Sequence, residues 1–337
     1  MTPQKKLLTL VVPAYNEEAN LPTIRQRLEP VLAEIKNLGV ETEIILLDNC
    51  STDGTAQFGR QVCREDNRWR YIRYSRNFGY HGSLACGFDL ARGDALIVLA
   101  SDLQEPPELI PQMVKLWQQG YDVAYGVLAK RNDETLGKTL GAKLFYPLFT
   151  FLSDSEIPPF ATDFRILSRP VIDAVKGMRE ADRYLRGLVH WTGFKQISFV
   201  YDRDKRTQGK STAGIWVATK WALNAIFCFS YKPLRGIATF GFLVMVGAIV
   251  LSAYFLFIYF FPQPRIPIAP TGTTALAMLL LFGIGVNAFS LGIIGEYVGR
   301  IYNQSKLRPL YIIDEAVNIT PSSLIGLPLP GQVRFEK

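Results

Sequence analysis

The sequence predicts an α/β fold: a mostly parallel, Rossmann-like sheet in the first part of the chain, then interfacial helices and two C-terminal transmembrane helices. Three observations predict it. Short β-rich runs alternate with helical patterning through the first 130 residues, which implies βαβ units. Polar clusters follow directly on four of the five expected strands. Two long stretches, 236–261 and 272–295, contain no charged residue.

The strands are expected at "LTLVV" (8–12), "EIILL" (43–47), "RYIRY" (70–74), "ALIVLA" (95–100) and "DVAYG" (122–126). Between the first two, Leu21, Ile24, Leu28, Leu32, Ile35 and Leu38 recur at threes and fours, the spacing of one helical face. Pro30 is expected to kink that helix. The first domain is taken as 1–210. Residues 211–234 carry Trp216, Lys220, Trp221, Leu223, Phe227 and Tyr231. Their spacing suits either juxtamembrane amphipathic helices lying in the interface or a helix packed on the first domain. The charge-free stretches define membrane spans at 235–261 and 272–298. As helices they would be roughly 35–39 Å long, enough for a hydrocarbon core of about 30 Å. Residues 299–337 are expected to be a cytosolic tail, with a short strand at "LYIID" and poor order beyond Thr320.

Lys232 and Arg235 precede the first span, and Arg300, Lys306 and Arg308 follow the second, whereas the intervening loop carries only Arg265. The positive-inside rule then places both termini in the cytoplasm, making the chain a multi-pass protein of the cytoplasmic membrane. The opening "MTPQKK" lacks the pattern of a signal peptide. The net charge of +7 is concentrated among residues 203–235, which fits an anionic bilayer surface better than nucleic acid. Cys50, Cys63, Cys86 and Cys228 have no CxxC spacing and are expected to be reduced and structural.

In an open α/β sheet, ligands bind beyond the carboxyl ends of the strands. "PAYNEE", "DNCSTDGT", "SRNFGYHG" and "SDLQ" all fall there. Each allows a plain reading as well as a functional one. Asn16 and Glu17 can begin and cap a helix. Asp48 can simply end a strand, and Asp53-Gly54 can close a turn. Asp102 ends an apolar run before "LQEPPE"; it either caps the next helix or holds a metal. Asp102 and Gln104 offer a carboxylate and an amide oxygen, the donors that hard ions such as Mg²⁺ or Mn²⁺ prefer. The basic run "DRDKRTQGKS" (202–211) suits phosphate oxygens at a helix start or lipid headgroups. His81 and Ser83 have no Asp placed to complete a triad, and "GYHGSLACG" is not a GxGxxG dinucleotide motif. His190 is expected to be packed, and Glu296 to reach the membrane interface.

"PAYNE" and the strand-end Asp48 resemble the nucleotide-binding half of family-2 glycosyltransferases. "SDLQEPPE" resembles the "DxDLQDPPE" motif of polyprenyl-phosphate glycosyltransferases, the group of dolichyl-phosphate mannose synthase and the bactoprenol glucosyltransferases. "TDFRILSR" (162–169) resembles that group's "DFRL" segment, and Arg206, Gly209 and Ser211 match its R-x-x-G-x-S pattern. The motifs stand in the family's order and the resemblance covers about residues 7 to 310.

The resemblance implies a GT-A fold for the first domain and a nucleotide-sugar held by Pro13, Tyr15, Asn16, Glu17, Asp48, Asp53, Ser101 and Arg131. It implies Mg²⁺ or Mn²⁺ at Asp102 and Gln104, Asp102 and Asp163 as catalytic residues with Asp163 as base, and a lipid phosphate at Arg206, Lys210 and Ser211. The implied reaction is inverting transfer of a sugar to a polyprenyl phosphate. Two helices after the catalytic domain favour UDP-glucose over GDP-mannose, and undecaprenyl phosphate as the bacterial carrier. A homo-oligomer, a downstream flippase and a lipid-sugar-using transferase are the implied partners. One position departs from the pattern: the first Asp of the motif falls on Ala100. That leaves open weakened metal binding, a water in its place or a catalytically impaired scaffold. A processive synthase would need a QxxRW motif after the catalytic Asp, and none is present. A transporter fits poorly, because the polar motifs lie outside the spans.

Overall fold

The computed structural model describes residues 5–129, 161–181, 183–203, 227, 230–260, 272–324, 326–328 and 334–336. The chain divides into two compact units. The first comprises residues 1–146, 155–219 and 308–337; the second comprises 147–154 and 220–307.

The first unit is built on a nine-stranded sheet of order β7-β5-β6-β4-β1-β2-β3-β8-β9. Its centre is parallel: β1 (Lys6–Ala14) lies between β2 (Val40–Asp48) and β4 (Ala95–Val98), with β3 (Trp69–Tyr74) beyond β2. The connections are α1 (Leu21–Asn37), α2 (Thr55–Glu65) and α3 (Gly79–Leu90). A 3₁₀ turn (Pro107–Leu109) and α4 (Ile110–Gln118) lead from β4 to β5 (Val123–Leu128). Pro30 lies inside α1, which continues through it.

Side-chain alternation explains the two-sided core. Leu8, Leu10 and Val12 of β1 pack with Leu21, Ile24 and Leu28 of α1, whereas Val11 joins Leu84 and Phe88 of α3 on the opposite face. Gly87 lets α3 approach β1 closely, because a Cβ there would lie 2.6 Å from Val11 Cγ1. The buried Glu43 is paired with Arg70 and Arg92 at 3.1 and 2.7 Å, as a charge removed from water requires.

Two strands lie where no strand was expected. β6 (Ala161–Ser168) runs antiparallel between β4 and β5, and β7 (Gln196–Tyr201) pairs parallel with β5. β6 is followed by α5 (Arg169–Gly177) and α6 (Leu185–Trp191). Its reversed direction is what matters for the site. It brings the start of β6 to the sheet edge where β1, β2 and β4 end.

The expected tail is corrected in part. Beyond residue 307 the chain belongs to the first unit. There β8 (Ile313–Val317) pairs antiparallel with β3 and β9 (Arg334–Glu336) pairs with β8. The Tyr311 hydroxyl donates to Asp89 Oδ2 at 2.6 Å, and Arg60 holds Glu315 through two bonds of 2.6 and 2.7 Å. Past Thr320 a 3₁₀ turn (Pro321–Leu324) buries Leu324. Apolar burial and ion pairing order this segment. Cys50, Cys63 and Cys86 are free thiols, and burial pushes Cys63 up to about 12.

The second unit contains α7 (Lys232–Phe260) and α8 (Gly272–Ser305), both long and apolar enough to cross a membrane. None of the apolar window in either helix is buried, unlike a helix in the core of a water-soluble domain. Tyr297 donates its hydroxyl to the Ser230 carbonyl at 2.8 Å, and Phe227 meets the Tyr297 ring edge-on. Glu296 pairs with Arg300 one turn away. Phe227 and Ser230 are the only described residues among 211–230, so the amphipathic helices expected there lie outside the described residues.

Candidate active site

The loops after β1 and β2 are bonded to each other. Asn16 N–H donates to Ser51 Oγ at 2.9 Å, and Thr52 N–H donates to Asn16 Oδ1 at 2.8 Å. Glu17 N–H reaches Thr55 Oγ1 at 3.0 Å, and Gly54 N–H reaches Glu18 Oε2 at 2.9 Å. The capping reading of Asn16 is therefore corrected: α1 begins at Leu21 without a side-chain cap. Asn16 instead adopts a left-handed backbone, φ 55°, which asparagine tolerates, and its side chain bridges the loops.

Asp48 and Asp53 hold these loops in place. Asp48 is fully buried; Oδ1 accepts from Ser51 N–H at 2.8 Å, and Oδ2 accepts from the Tyr71 hydroxyl and Arg73 Nη1 at 2.8 and 2.9 Å. Asp53 accepts from the N–H groups of Thr55 and Glu18. Burial raises its pKa, but those hydrogen bonds outweigh it and hold the carboxyl below its usual range. Both acids are expected to touch the ligand; in the structure Asp48 is buried among these donors, and each oxygen of the half-buried Asp53 accepts one backbone N–H. Pro13 is buried within β1, which runs on to Ala14, beyond the expected end of the strand at residue 12. Tyr15 and Asn16 are exposed at this edge, and Glu17 is half-buried.

After β4 the chain makes a sharp turn. Leu103 is buried with φ 57°, and Gln104 N–H donates to Asp102 Oδ1 at 3.2 Å. Asp102 does not cap a helix, since the 3₁₀ turn starts only at Pro107. Ser101 is buried, while Asp102 and Gln104 are half-buried. The turn folds Glu105 back toward the strand, with Oε2 3.4 Å from Ala100 N and Oε1 3.5 Å from Arg203 Nη2. Burial pushes the Glu105 carboxyl up to about 7; Arg203 draws it down, and the charges of Asp163 and Asp102 push it further up.

Asp163 lies near the start of β6, not at a helix cap. Its two oxygens accept from Arg186 Nε and Nη2 at 2.9 and 3.0 Å, and Arg165 Nη2 is 3.9 Å away. Burial raises the Asp163 pKa, but the charge and hydrogen bonds of Arg186, then Arg165, outweigh it and hold it below the usual carboxylate range. A carboxylate held this way is a poor proton acceptor at neutral pH, so the electrostatics oppose the expected base. His81 faces the same cluster: burial lowers its pKa, Asp163 raises it, and Arg183 and Arg186 lower it. Ser83 is buried with its hydroxyl 3.4 Å from Tyr74 Oη, as a structural residue.

Asp102, Glu105 and Asp163 are thus brought to one sheet edge with Arg165, Arg186 and Arg203. Sequence reasoning missed Glu105 and these three arginines. Glu105 stood inside a quoted motif; Arg186 stood in "LRGLVHW", which carries no signal of its own. Arg131, Arg206, Lys210 and Ser211, with Lys130 and Gly209, lie outside the described residues. Among the described residues no three His, Cys, Asp or Glu side chains group as a complete metal cage. A hard divalent ion bound with a diphosphate needs only one or two carboxylates, because phosphate oxygens and water complete its shell. The oxygens of Asp102, Gln104 and Glu105 fit that chemistry.

Residues 9–176 match the family described as "Glycosyl transferase family 2". The chain is 37% identical over 312 residues to an uncharacterized glycosyltransferase, YkcC, of Bacillus subtilis (strain 168), covering 92% of this chain and 94% of that protein. It is 34% identical over 310 residues to the bactoprenol glucosyl transferase of Shigella phage SfV, covering 91% and 97% respectively. Among solved structures, the mannosyltransferase PcManGT from Pyrobaculum calidifontis in complex with GDP-Man and Mn²⁺ is similar at 14% identity and TM-score 0.45, covering 90% of this chain and 87% of that one. With the parallel sheet and its loop edge in place, the likeness along nearly the whole chain settles the family: this protein is a glycosyltransferase of family 2, in the group that includes the bactoprenol glucosyl transferases.

Proposed function

We propose that the protein transfers glucose from UDP-glucose to undecaprenyl phosphate at the cytosolic face of the membrane. The observation that carries this reading is the likeness to a bactoprenol glucosyl transferase over 91% of the chain. In the proposed reaction a phosphate oxygen of the lipid attacks the anomeric carbon, and the bond to the nucleoside diphosphate breaks. UDP leaves with the bonding electron pair, and a single displacement inverts the anomeric centre.

The chain's own residues divide the work. Tyr15, Asn16, Glu17 and Ser101 receive the nucleotide at the edge of the bonded loops, and the family resemblance adds Arg131 to them. Asp48 and Asp53 fix the shape of those loops. Asp102 and Gln104 would hold Mg²⁺ or Mn²⁺, which supplies positive charge to a leaving diphosphate when bound. Asp163 orients Arg186, and the arginines at this edge draw the acceptor phosphate to the site. No strong base is required, because a phosphate monoester is already largely ionised near neutral pH. Arg206, Lys210 and Ser211 complete the lipid-phosphate contacts. The exposed apolar surfaces of α7 and α8 support two membrane spans, and the basic residues flanking them favour both termini in the cytoplasm.

The test is transfer of radiolabelled sugar from a panel of UDP- and GDP-sugars into undecaprenyl phosphate by the purified protein. It is run with Mg²⁺, with Mn²⁺ and with EDTA. Metal-dependent lipid labelling from UDP-glucose alone is the expected result. Labelling from GDP-mannose instead would reassign the donor. Bound nucleotide without transfer from any donor would favour an impaired scaffold.

A further inference from the structure

We propose that Glu105 takes the place of the residue at position 100 as the second carboxylate of the divalent-cation site, beside Asp102. The proposal rests on the reading that this edge binds a nucleotide diphosphate with Mg²⁺ or Mn²⁺. Ala100 has only a methyl group and can ligate nothing. The left-handed turn at Leu103 (φ 57°) folds the chain back, so that Glu105 Oε2 comes to 3.4 Å from Ala100 N. A carboxylate therefore stands beside position 100, supplied from five residues along the chain.

Its surroundings are those of a ligand awaiting a cation. Glu105 is 4% exposed, so water solvates it little. An ionised carboxyl has about four acceptor positions, yet the contacts made by Glu105 among the described residues are long ones. They are 3.4 Å to Ala100 N and 3.5 Å to Arg203 Nη2. By contrast Asp163 has two bonds of 2.9 and 3.0 Å to Arg186, and Asp48 has three within 2.9 Å. Burial of a carboxylate with such loose partners is costly. A divalent ion removes that cost and accepts this donor set: two carboxylates, the Gln104 amide oxygen, diphosphate oxygens and water. Arg203, 3.5 Å from Glu105, would add a second positive charge to the site.

The experiment is Mn²⁺ titration of the full-length protein in detergent with saturating UDP, following free Mn²⁺ by electron paramagnetic resonance. Glu105→Gln keeps an oxygen for the Ala100 N–H, so a bracing role survives the substitution. We expect Mn²⁺ affinity to fall roughly 10- to 100-fold, with the thermal midpoint unchanged. Adding Ala100→Asp to that variant should recover most of the affinity. If the unsubstituted protein binds no Mn²⁺ with UDP, the metal reading itself fails. If it binds and Glu105→Gln binds equally well, Glu105 is only a brace and the proposal is overturned. Should Glu105→Gln fail to fold, the unsubstituted protein carrying ¹³C-carboxyl glutamate decides the matter by electron–nuclear double resonance: a ¹³C coupling to Mn²⁺ supports ligation, and its absence rejects it.

Discussion

Asp163→Asn tests whether the Asp163–Arg186 pair supports the fold and the transfer step without holding the nucleotide. The carboxylate accepts bonds of 2.9 and 3.0 Å from one guanidinium. Asparagine retains a single acceptor oxygen and no charge. A hydrogen bond to a charged group contributes about 1.5–3 kcal/mol. One is lost and the other weakened, while Arg186, 37% exposed, recovers part of the loss through water. The expected cost is about 2 kcal/mol, or a fall of about 4–8 °C in Tm for a unit of this size. The pH dependence follows from linkage. The folded protein holds this carboxyl below its ordinary value of 3.8, so the pair's contribution is fully present above that value and is lost as pH falls through the lower folded one. The gap in Tm between parent and variant should therefore be the same at pH 6 and pH 8 and shrink only below about pH 4. Thermal unfolding in detergent across that range is one assay; UDP affinity and single-turnover transfer are the others. Transfer should fall about 100-fold while UDP affinity stays within about threefold. Equal Tm values at pH 7, or parallel loss of UDP binding and transfer, would refute the reasoning.

Asp102→Ala should abolish metal-dependent donor binding; undiminished affinity for a UDP-sugar with Mn²⁺, measured calorimetrically, contradicts the metal assignment. Tyr311→Phe removes the 2.6 Å bond to the carboxylate of Asp89 and should destabilise the first unit by about 1.5–3 kcal/mol, read from chemical denaturation. Leu280→Arg places a charge on an exposed position of α8. It is harmless on a water-facing helix but costs about 2.5–3.5 kcal/mol in a bilayer, so a lower carbonate-resistant membrane fraction is expected.

The central strands were legible because both faces of a parallel strand are buried, which leaves apolar runs such as "EIILL" (43–47) in plain view. β6 was hidden by its own charges. Asp163 and Arg165 interrupt its apolar pattern, and their charges are tolerated only because Arg186 and each other lie close by. β7 is an edge strand with Val200 exposed, so its pattern is weak. The docking of β8 on β3 joins residues about 240 positions apart, as in Tyr71 with Val317, and no local signal reports such a pairing. The candidate site shows the same division. "SDLQEPPE" marked the loop, but local sequence did not tell that Asp48 and Asp53 accept close hydrogen bonds from the loops and from β3 while Glu105 has distant partners. Those distinctions depend on which donors the three-dimensional chain brings near.

The most direct test of the central claim is the identity of the two products. Purified protein is supplied with UDP-glucose and undecaprenyl phosphate, and the released nucleotide and the lipid are identified by mass spectrometry. Attack by the lipid phosphate on the anomeric carbon predicts UDP and a hexose joined to the lipid through a single phosphate. Release of UMP with a two-phosphate lipid, or no turnover by a protein that still binds the nucleotide, would contradict it.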